Sequence, residues 1–376
     1  MSQRLYYKFT AARPVSTLMT LLFDPPTATS FIPPQHVAPA PQHAPTDRRL
    51  VDAYGRQIRD MRISVTDRCN FRCVYCMPEE GMQWLKRESI LSFDEIERVA
   101  RVAVNLGVDE LRLTGGEPTL RPNLPELVAR VSALPVRSLS LTTNGFLLRS
   151  MARPLAEAGL KRINVSLDTL QHDRFHQIAR RRGLDEVLAG LEELERYPSV
   201  APIKVNVVAM RDFTETEVVA FAMLARRKPY VIRFIEFMPL DADGNWERER
   251  VLTGPEIMAI IERDFMPMVQ IPAEASSTSR RFTFADGIGE IGFINPVSQP
   301  FCGTCNRIRL TADGQLRTCL FSIDEWDLRA PMRSGASDED LAGILIEAVS
   351  HKELKHKINE GSAFQRASRS MSQIGG

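Results

Sequence analysis

From Met61 onward the chain alternates two kinds of hydrophobic pattern. Short runs rich in β-branched residues predict strands over 62–66, 110–114, 138–142, 162–167, 203–209 and 231–237. Between the first two, Phe93, Ile96, Val99, Ala103 and Leu106 recur at helical spacing and give one apolar face. Ser92 and Glu95 stand at the spacing of a capping box at its start. Further helices are predicted over 123–133, 149–158, 184–196 and 215–226. Strand–helix alternation at this period implies α/β architecture, with a parallel sheet and right-handed crossovers. Six such units make an incomplete (β/α)6 barrel of the TIM type. A flat doubly wound sheet is the architectural alternative.

The pattern fails at both ends of this region. Residues 1 to about 50 carry eight prolines and no sustained periodicity, which reads as a disordered extension. The stretch before Asp24 lacks acids, contains Arg4, Lys8 and Arg13, and ends in an apolar run, the composition of an organelle transit peptide. A bacterial tail or an overlong start is the plainer reading. After about Leu240 the alternation is expected to stop, at the turn signal Asp241-Ala-Asp-Gly244. Leu341, Ile344, Leu345, Ala348 and Val349 form one more apolar helix face, read as core packing. Three parts follow: an extension over 1–50, the barrel over 51–240, and a C-terminal α+β region over 241–376.

A chain of 376 residues with 44% hydrophobic and 25% charged residues is long enough for a sizeable globular core. No apolar run reaches the roughly 18 residues of a membrane helix, so no membrane partner is expected. The net charge is +1, which gives no reason to propose nucleic acid. Any anionic ligand needs a local basic cluster instead. All six cysteines fall into two triads, Cys69, Cys73, Cys76 and Cys302, Cys305, Cys319. Odd local triads pair badly as disulfides, and free thiols held for metal imply a reducing compartment.

The first triad has the spacing C-x3-C-x2-C. Three thiolates are one short of a closed structural zinc site, and one short of the usual ligand set of a four-iron cluster. On such a cluster they leave one iron open. The triad follows the first strand. Gly115-Gly-Glu-Pro118, Thr142-Thr-Asn-Gly145, Ser166-Leu-Asp168 and Glu236-Phe-Met-Pro239 follow the second, third, fourth and sixth. Parallel barrels place their chemistry at this edge. The second triad is C-x2-C-x13-C, with Asp313-Gly314 as a two-residue hairpin turn between its arms. That turn returns Cys319 to a position opposite Ile308, within one residue of register. It also sets Arg307 and Arg309 on one face. A zinc ribbon is a serious alternative for this triad, weakened by the missing fourth ligand.

Taken together these motifs resemble the radical S-adenosylmethionine enzymes. Within them they resemble the GTP 3′,8-cyclases of molybdenum cofactor biosynthesis, the MoaA family. The resemblance runs from about Leu50 to Gly376 and rests on the segments beginning at Arg62, Leu111, Leu141, Ile163 and Cys302, and on the final Gly375-Gly376. It implies two [4Fe–4S] clusters, one on each triad. The first cleaves S-adenosylmethionine and the second binds the guanine of GTP. It implies cofactor contacts at Tyr75, Gly116, Ser166 and Met238. Nucleotide contacts carry over to Arg62, Arg112, Thr142, Lys204, Arg307 and Arg309, with Arg233 a weaker candidate. It further implies a homodimer, a reducing electron donor, a cytoplasmic setting and a downstream cyclic pyranopterin monophosphate synthase. The diglycine end would thread toward the active site. A peptide-modifying maturase with an auxiliary cluster is the nearest rival, and an iron–sulfur redox sensor the non-enzymatic one.

Overall fold

The computed structural model describes residues 48–376 except 242, 245, 362, 363, 368 and 376. The readings of residues 1–47 as a disordered or targeting segment lie outside the described residues, as does Gly376. Packing begins at Leu50, which is buried and exchanges backbone hydrogen bonds with Leu106 and Ile58.

Six strands run parallel in chain order: β1 (Asp60–Ser64), β2 (Glu110–Thr114), β3 (Ser138–Thr143), β4 (Arg162–Ser166), β5 (Ile203–Ala209) and β6 (Tyr230–Glu236). The helices of this half are α1 (Phe93–Asn105), α2 (Leu124–Ser132), α3 (Leu148–Glu157), α4 (His172–Ala179), α5 (Leu184–Leu194) and α6 (Val218–Arg227). The capping box at α1 forms as expected, with Ser92 and Glu95 each satisfying the other's backbone N–H. α4 was not expected, although Phe175, Ile178 and Ala179 carry its buried face.

Side chains alternate between the two faces, with Val208, Val231 and Ile235 the apolar exceptions on the otherwise polar one. Met61 and Ile63, Leu111 and Leu113, Leu139 and Leu141, Ile163 and Val165, Val205 and Val207, and Ile232 and Phe234 are buried in one apolar core with the helices. Burying such a side chain stabilises by roughly 1.5–3 kcal/mol, so a one-residue slip of register would be prohibitive. The opposite face is polar: Arg62, Arg112, Ser140, Arg162, Asn164, Lys204, Asn206 and Arg233. A flat doubly wound sheet would need helices, and hence apolar positions, on both faces. The sheet also curls. β2 and β6 are four strands apart, about 19 Å in a flat sheet, yet Arg233 on β6 is close enough to Arg112 on β2 to feel its charge. The polar face is therefore the inside of an incomplete barrel.

Beyond β6 one more helix follows, and the regular strand–helix alternation then stops. α7 (Gly254–Asp264) opens on a second capping box, Thr253 with Glu256, a signal present in the sequence. It leads to β7 (Met268–Ile271), β8 (Arg280–Phe284), β9 (Glu290–Ile294), β10 (Arg307–Leu310), β11 (Gln315–Arg317) and β12 (Trp326–Asp327). β9 lies parallel beside β6, and β10 parallel beside β1. The sheet order is β12-β11-β10-β1-β2-β3-β4-β5-β6-β9-β8-β7. The C-terminal residues thus extend both edges of the barrel sheet. α8 (Arg329–Arg333), α9 (Asp338–Ser350) and α10 (Met371–Ile374) complete the described helices.

Two local expectations change. β1 ends at Ser64, two residues early, because Val65 and Thr66 turn to pair with Thr114 and Gly116 on the exit of β2. The β10–β11 turn is also longer than two residues. Thr311 and Gln315 still bond, and Gly314 closes the loop in the left-handed region at φ +83. Continuing the register Arg309 to Arg317 sets Cys319 beside Arg307.

Candidate functional site

The loop leaving β1 carries Cys69, Cys73 and Cys76. It is fixed by backbone on two sides. The N–H groups of Gly116 and Glu117 donate to Thr66 and Arg68 carbonyls at 2.7 Å, and those of Arg72 and Val74 donate to the end of α4 at 2.9 and 3.0 Å. A Cβ on Gly115 would collide with the Thr66 carbonyl, and one on Gly116 with the carbonyls of Asp67 and Arg68. The glycines thus let the exit of β2 lie against the triad loop. Glu117, fully buried, accepts from Thr119 N–H at 3.0 Å, Thr143 Oγ1 at 2.7 Å and Asn144 N–H at 2.6 Å, tying the exits of β2 and β3 together. Tyr75 donates its hydroxyl to Asp168 at 2.6 Å, and Asp168 also accepts from Val208 N–H at 2.8 Å. Burial pushes the Asp168 carboxyl up to about 6.

Burial, with Glu117 nearby, pushes the Cys69 thiol up to about 11. Burial also pushes Cys76 up to about 12 and raises Cys73, which feels Asp168 and both other thiols. The three are one cluster of donors whose protons a bound metal would displace. Among the described residues, no three His, Cys, Asp or Glu side chains close round a single ion.

Facing this loop is the barrel interior. One row crosses five strands: Arg309, Arg62, Arg112, Ser140 and Arg162 are consecutive register partners. Lys204 and Arg233 continue the same face on β5 and β6. Burial, then Arg233 and Arg112, hold the Lys204 ammonium down to about 7. Burial and Arg112 bring Arg233 down to about 9. Arg233 donates to Asn206 at 2.9 Å and to Asn164 at 2.6 Å, and Asn164 in turn donates to Thr142 at 3.3 Å. The sequence reading missed Arg162, Asn164 and Asn206, although each stands two residues from a neighbouring polar strand position. Arg62 Nε and Arg307 Nη2 are buried donors without a hydrogen-bond acceptor among the described residues. An anion entering the barrel would satisfy them. Ser166 lies at the end of β4 and Met238 just beyond β6, both half-buried.

The second triad sits at the edge of this interior. Cys302 and Cys305 precede β10, and Cys319 follows β11. Burial raises Cys302 and pushes Cys319 up to about 11. Cys305 is also pushed up by burial, yet Arg307 and Lys352 outweigh it and bring the thiol down to about 7. Arg309 donates to the carbonyl of Gly375, which lies against Ser64 and Thr114. Arg369 holds the approach to this tail, pairing with Asp313 at 2.9 Å and Glu325 at 2.7 Å. The tail up to Gly375 therefore enters the barrel beside Arg309. The expectation for the terminal carboxylate falls on Gly376, outside the described residues.

Residues 63–225 match the radical SAM superfamily, and 230–358 match the molybdenum cofactor synthesis C family. A GTP 3′,8-cyclase of Pelotomaculum thermopropionicum is 46% identical over 329 residues, spanning 87% of this chain and 100% of the relative. The GTP 3′,8-cyclase of Streptomyces coelicolor is also 46% identical, over 87% of this chain and 96% of its own. The chain belongs to the GTP 3′,8-cyclase family. A solved structure of Streptococcus suis SuiB bound to S-adenosylmethionine shares the fold, with a TM-score of 0.56 over 78% of this chain and 69% of that one, at 13% identity. No described helix is long and apolar enough to cross a membrane.

Proposed function

We propose that this chain cyclises GTP to 3′,8-cyclo-7,8-dihydro-GTP, the first step of molybdenum cofactor biosynthesis. The observation that carries the reading is the basic barrel interior between two cysteine triads, with Arg62 Nε and Arg307 Nη2 left without acceptors among the described residues. A [4Fe–4S] cluster on Cys69, Cys73 and Cys76 would supply the electron that splits S-adenosylmethionine into methionine and a 5′-deoxyadenosyl radical. Tyr75, Gly116, Ser166 and Met238 would contact that cofactor, with Tyr75 fixed by Asp168. Arg62, Arg112, Lys204 and Arg233 face the triphosphate, since guanidinium forks suit phosphate oxygens. Thr142 joins them through Asn164. Cys302, Cys305 and Cys319 would hold a second cluster, and Arg307 and Arg309 would orient the guanine beside it. Hydrogen leaves the ribose C3′, that carbon closes onto guanine C8, and one further electron and proton complete the product. The extra electrons come from a small reducing donor. The product passes to a cyclic pyranopterin monophosphate synthase. The six free cysteines fit a reducing cytoplasm. Two copies would work as a dimer.

Anaerobic reconstitution tests the reading. With iron, sulfide, reductant, S-adenosylmethionine and GTP, the chain is expected to release 5′-deoxyadenosine and the cyclised nucleotide, read by mass spectrometry. A fully reconstituted chain that makes no GTP-dependent deoxyadenosine overturns it.

A further inference from the structure

The segment after α9 is His351-Lys-Glu-Leu-Lys-His-Lys357. It wraps the second triad. Lys352 is only 3% exposed, and its ammonium donates to the Arg307 carbonyl at 2.9 Å and to the carbonyl of Thr318, next to Cys319. Arg307 opens β10 and Thr318 follows β11, so one nitrogen spans both arms of the hairpin. Glu353, the adjacent carboxylate, accepts from Thr318 Oγ1 at 2.9 Å. Arg56 approaches from the other side. It donates to the carbonyls of Cys302 at 2.8 Å, Glu353 at 2.7 Å and Leu354 at 2.9 Å, with Asp52 as its counter-ion at 2.5 Å.

Arg56 is thus a paired cation. Lys352 is different, because both of its contacts among the described residues are neutral carbonyls. A buried ammonium is costly unless negative charge compensates it. Cys302, Cys305 and Cys319 all lie close enough to feel its charge. Glu353 on Thr318 supplies one carboxylate nearby, and three thiolates bound to metal would supply the rest of the compensating charge. We infer that Lys352 is a positioning residue for a second iron–sulfur cluster, clamping the two hairpin arms and compensating the charge that three thiolates bring. This rests on the proposal that the second triad holds such a cluster. A fixed positive charge favours the reduced state of a nearby centre, so Lys352 also sets its potential.

The test uses the full chain with Cys69, Cys73 and Cys76 replaced by serine, which isolates the second centre. After reconstitution, iron per chain and the midpoint potential, followed by electron paramagnetic resonance, are read. With Lys352 intact, about four irons per chain are expected. A chain holding no iron overturns the second cluster itself, and the inference with it. Where the cluster loads, Lys352→Met is expected to shift the midpoint potential downward or to lose at least half of the iron, and Lys352→Arg to keep both. Unchanged iron and potential in Lys352→Met overturn the role of Lys352 alone, as does a loss that Lys352→Arg does not rescue. Lys352→Gln keeps a hydrogen-bond donor without the charge and is read beside it in case the methionine chain fails to fold. It is expected to show the same downward shift, and the original potential in that chain overturns the charge role.

Discussion

Around Cys69, Cys73 and Cys76 the nearby carboxylates Glu117 and Asp168 raise the thiols further, Arg72 apart. Around Cys302, Cys305 and Cys319 the neighbours are Arg307 and Lys352, opposed at Cys319 by Glu353. The means of support differ in part. The first loop is held by backbone against the exit of β2 and the end of α4, with Arg72 and Arg180 reaching the carbonyls of Cys69, Phe71 and Met77. The second is held by long cationic side chains reaching carbonyls. The two triads thus differ most at Cys305, the one thiol of the six that its neighbours bring down. An electropositive centre suits an anionic nucleotide and easier reduction, while a centre beside carboxylates is poised to give its electron away.

The most severe way to break this division is to remove one ligand from each triad. Cys73→Ser is expected to abolish all cleavage of S-adenosylmethionine, measured as deoxyadenosine. Cys305→Ser should retain slow GTP-independent cleavage and lose the cyclised product. If Cys305→Ser stops cleavage too, the two centres are not separable. Next in size, Arg307→Ala leaves a buried anion site incomplete and should weaken GTP binding by about 2 kcal/mol or more. Calorimetry checks it, and Arg307→Lys should restore only part, because an ammonium lacks the planar fork. Gly116→Ala and Gly303→Ala compare the supports directly. The added methyl at Gly116 meets two carbonyls, whereas at Gly303 it meets nothing within 4 Å. Thermal unfolding should show a loss of roughly 1–3 kcal/mol for the first and less than about 0.5 kcal/mol for the second.

The smallest effect concerns pH. Lys204 is held down to about 7, so near neutrality it is partly deprotonated before any ligand arrives. A bound triphosphate would draw the proton back and raise that value. Binding therefore takes up protons, and GTP affinity should fall as pH rises above 7, by roughly tenfold per pH unit at most. Titration calorimetry in buffers of different ionisation enthalpy reads the uptake. Lys204→Met should flatten the dependence.

Much of this was legible in the chain. The six parallel strands, α1 with its cap, both triads and the basic strand residues follow from period-2 and period-3.6 patterns and from spacing. What escaped had weaker local signals. α4 is only eight residues long, and its task of holding the triad loop through Ile178 and Ala179 carbonyls uses backbone atoms that no side-chain pattern announces. Asn164 and Asn206 read as ordinary strand residues until Arg233 is seen to donate to both. Lys352 and Arg56 act on carbonyls remote in sequence, 34 to 298 residues away.

By itself, then, the sequence determined which donors exist and how each local segment folds, because thiol spacing, alternation and capping act over a few residues. Whether six arginines and lysines on separate strands amount to a site was not a local question. The curl of the sheet brought Arg112 and Arg233 within reach of each other across four strands. The joining of β10 to β1 set Arg309 beside Arg62. The field around each triad was decided the same way, by Glu117 and Asp168 at one and Lys352 at the other. Electrostatic effects depend on distance through the folded protein, and that distance exists only once the chain has packed.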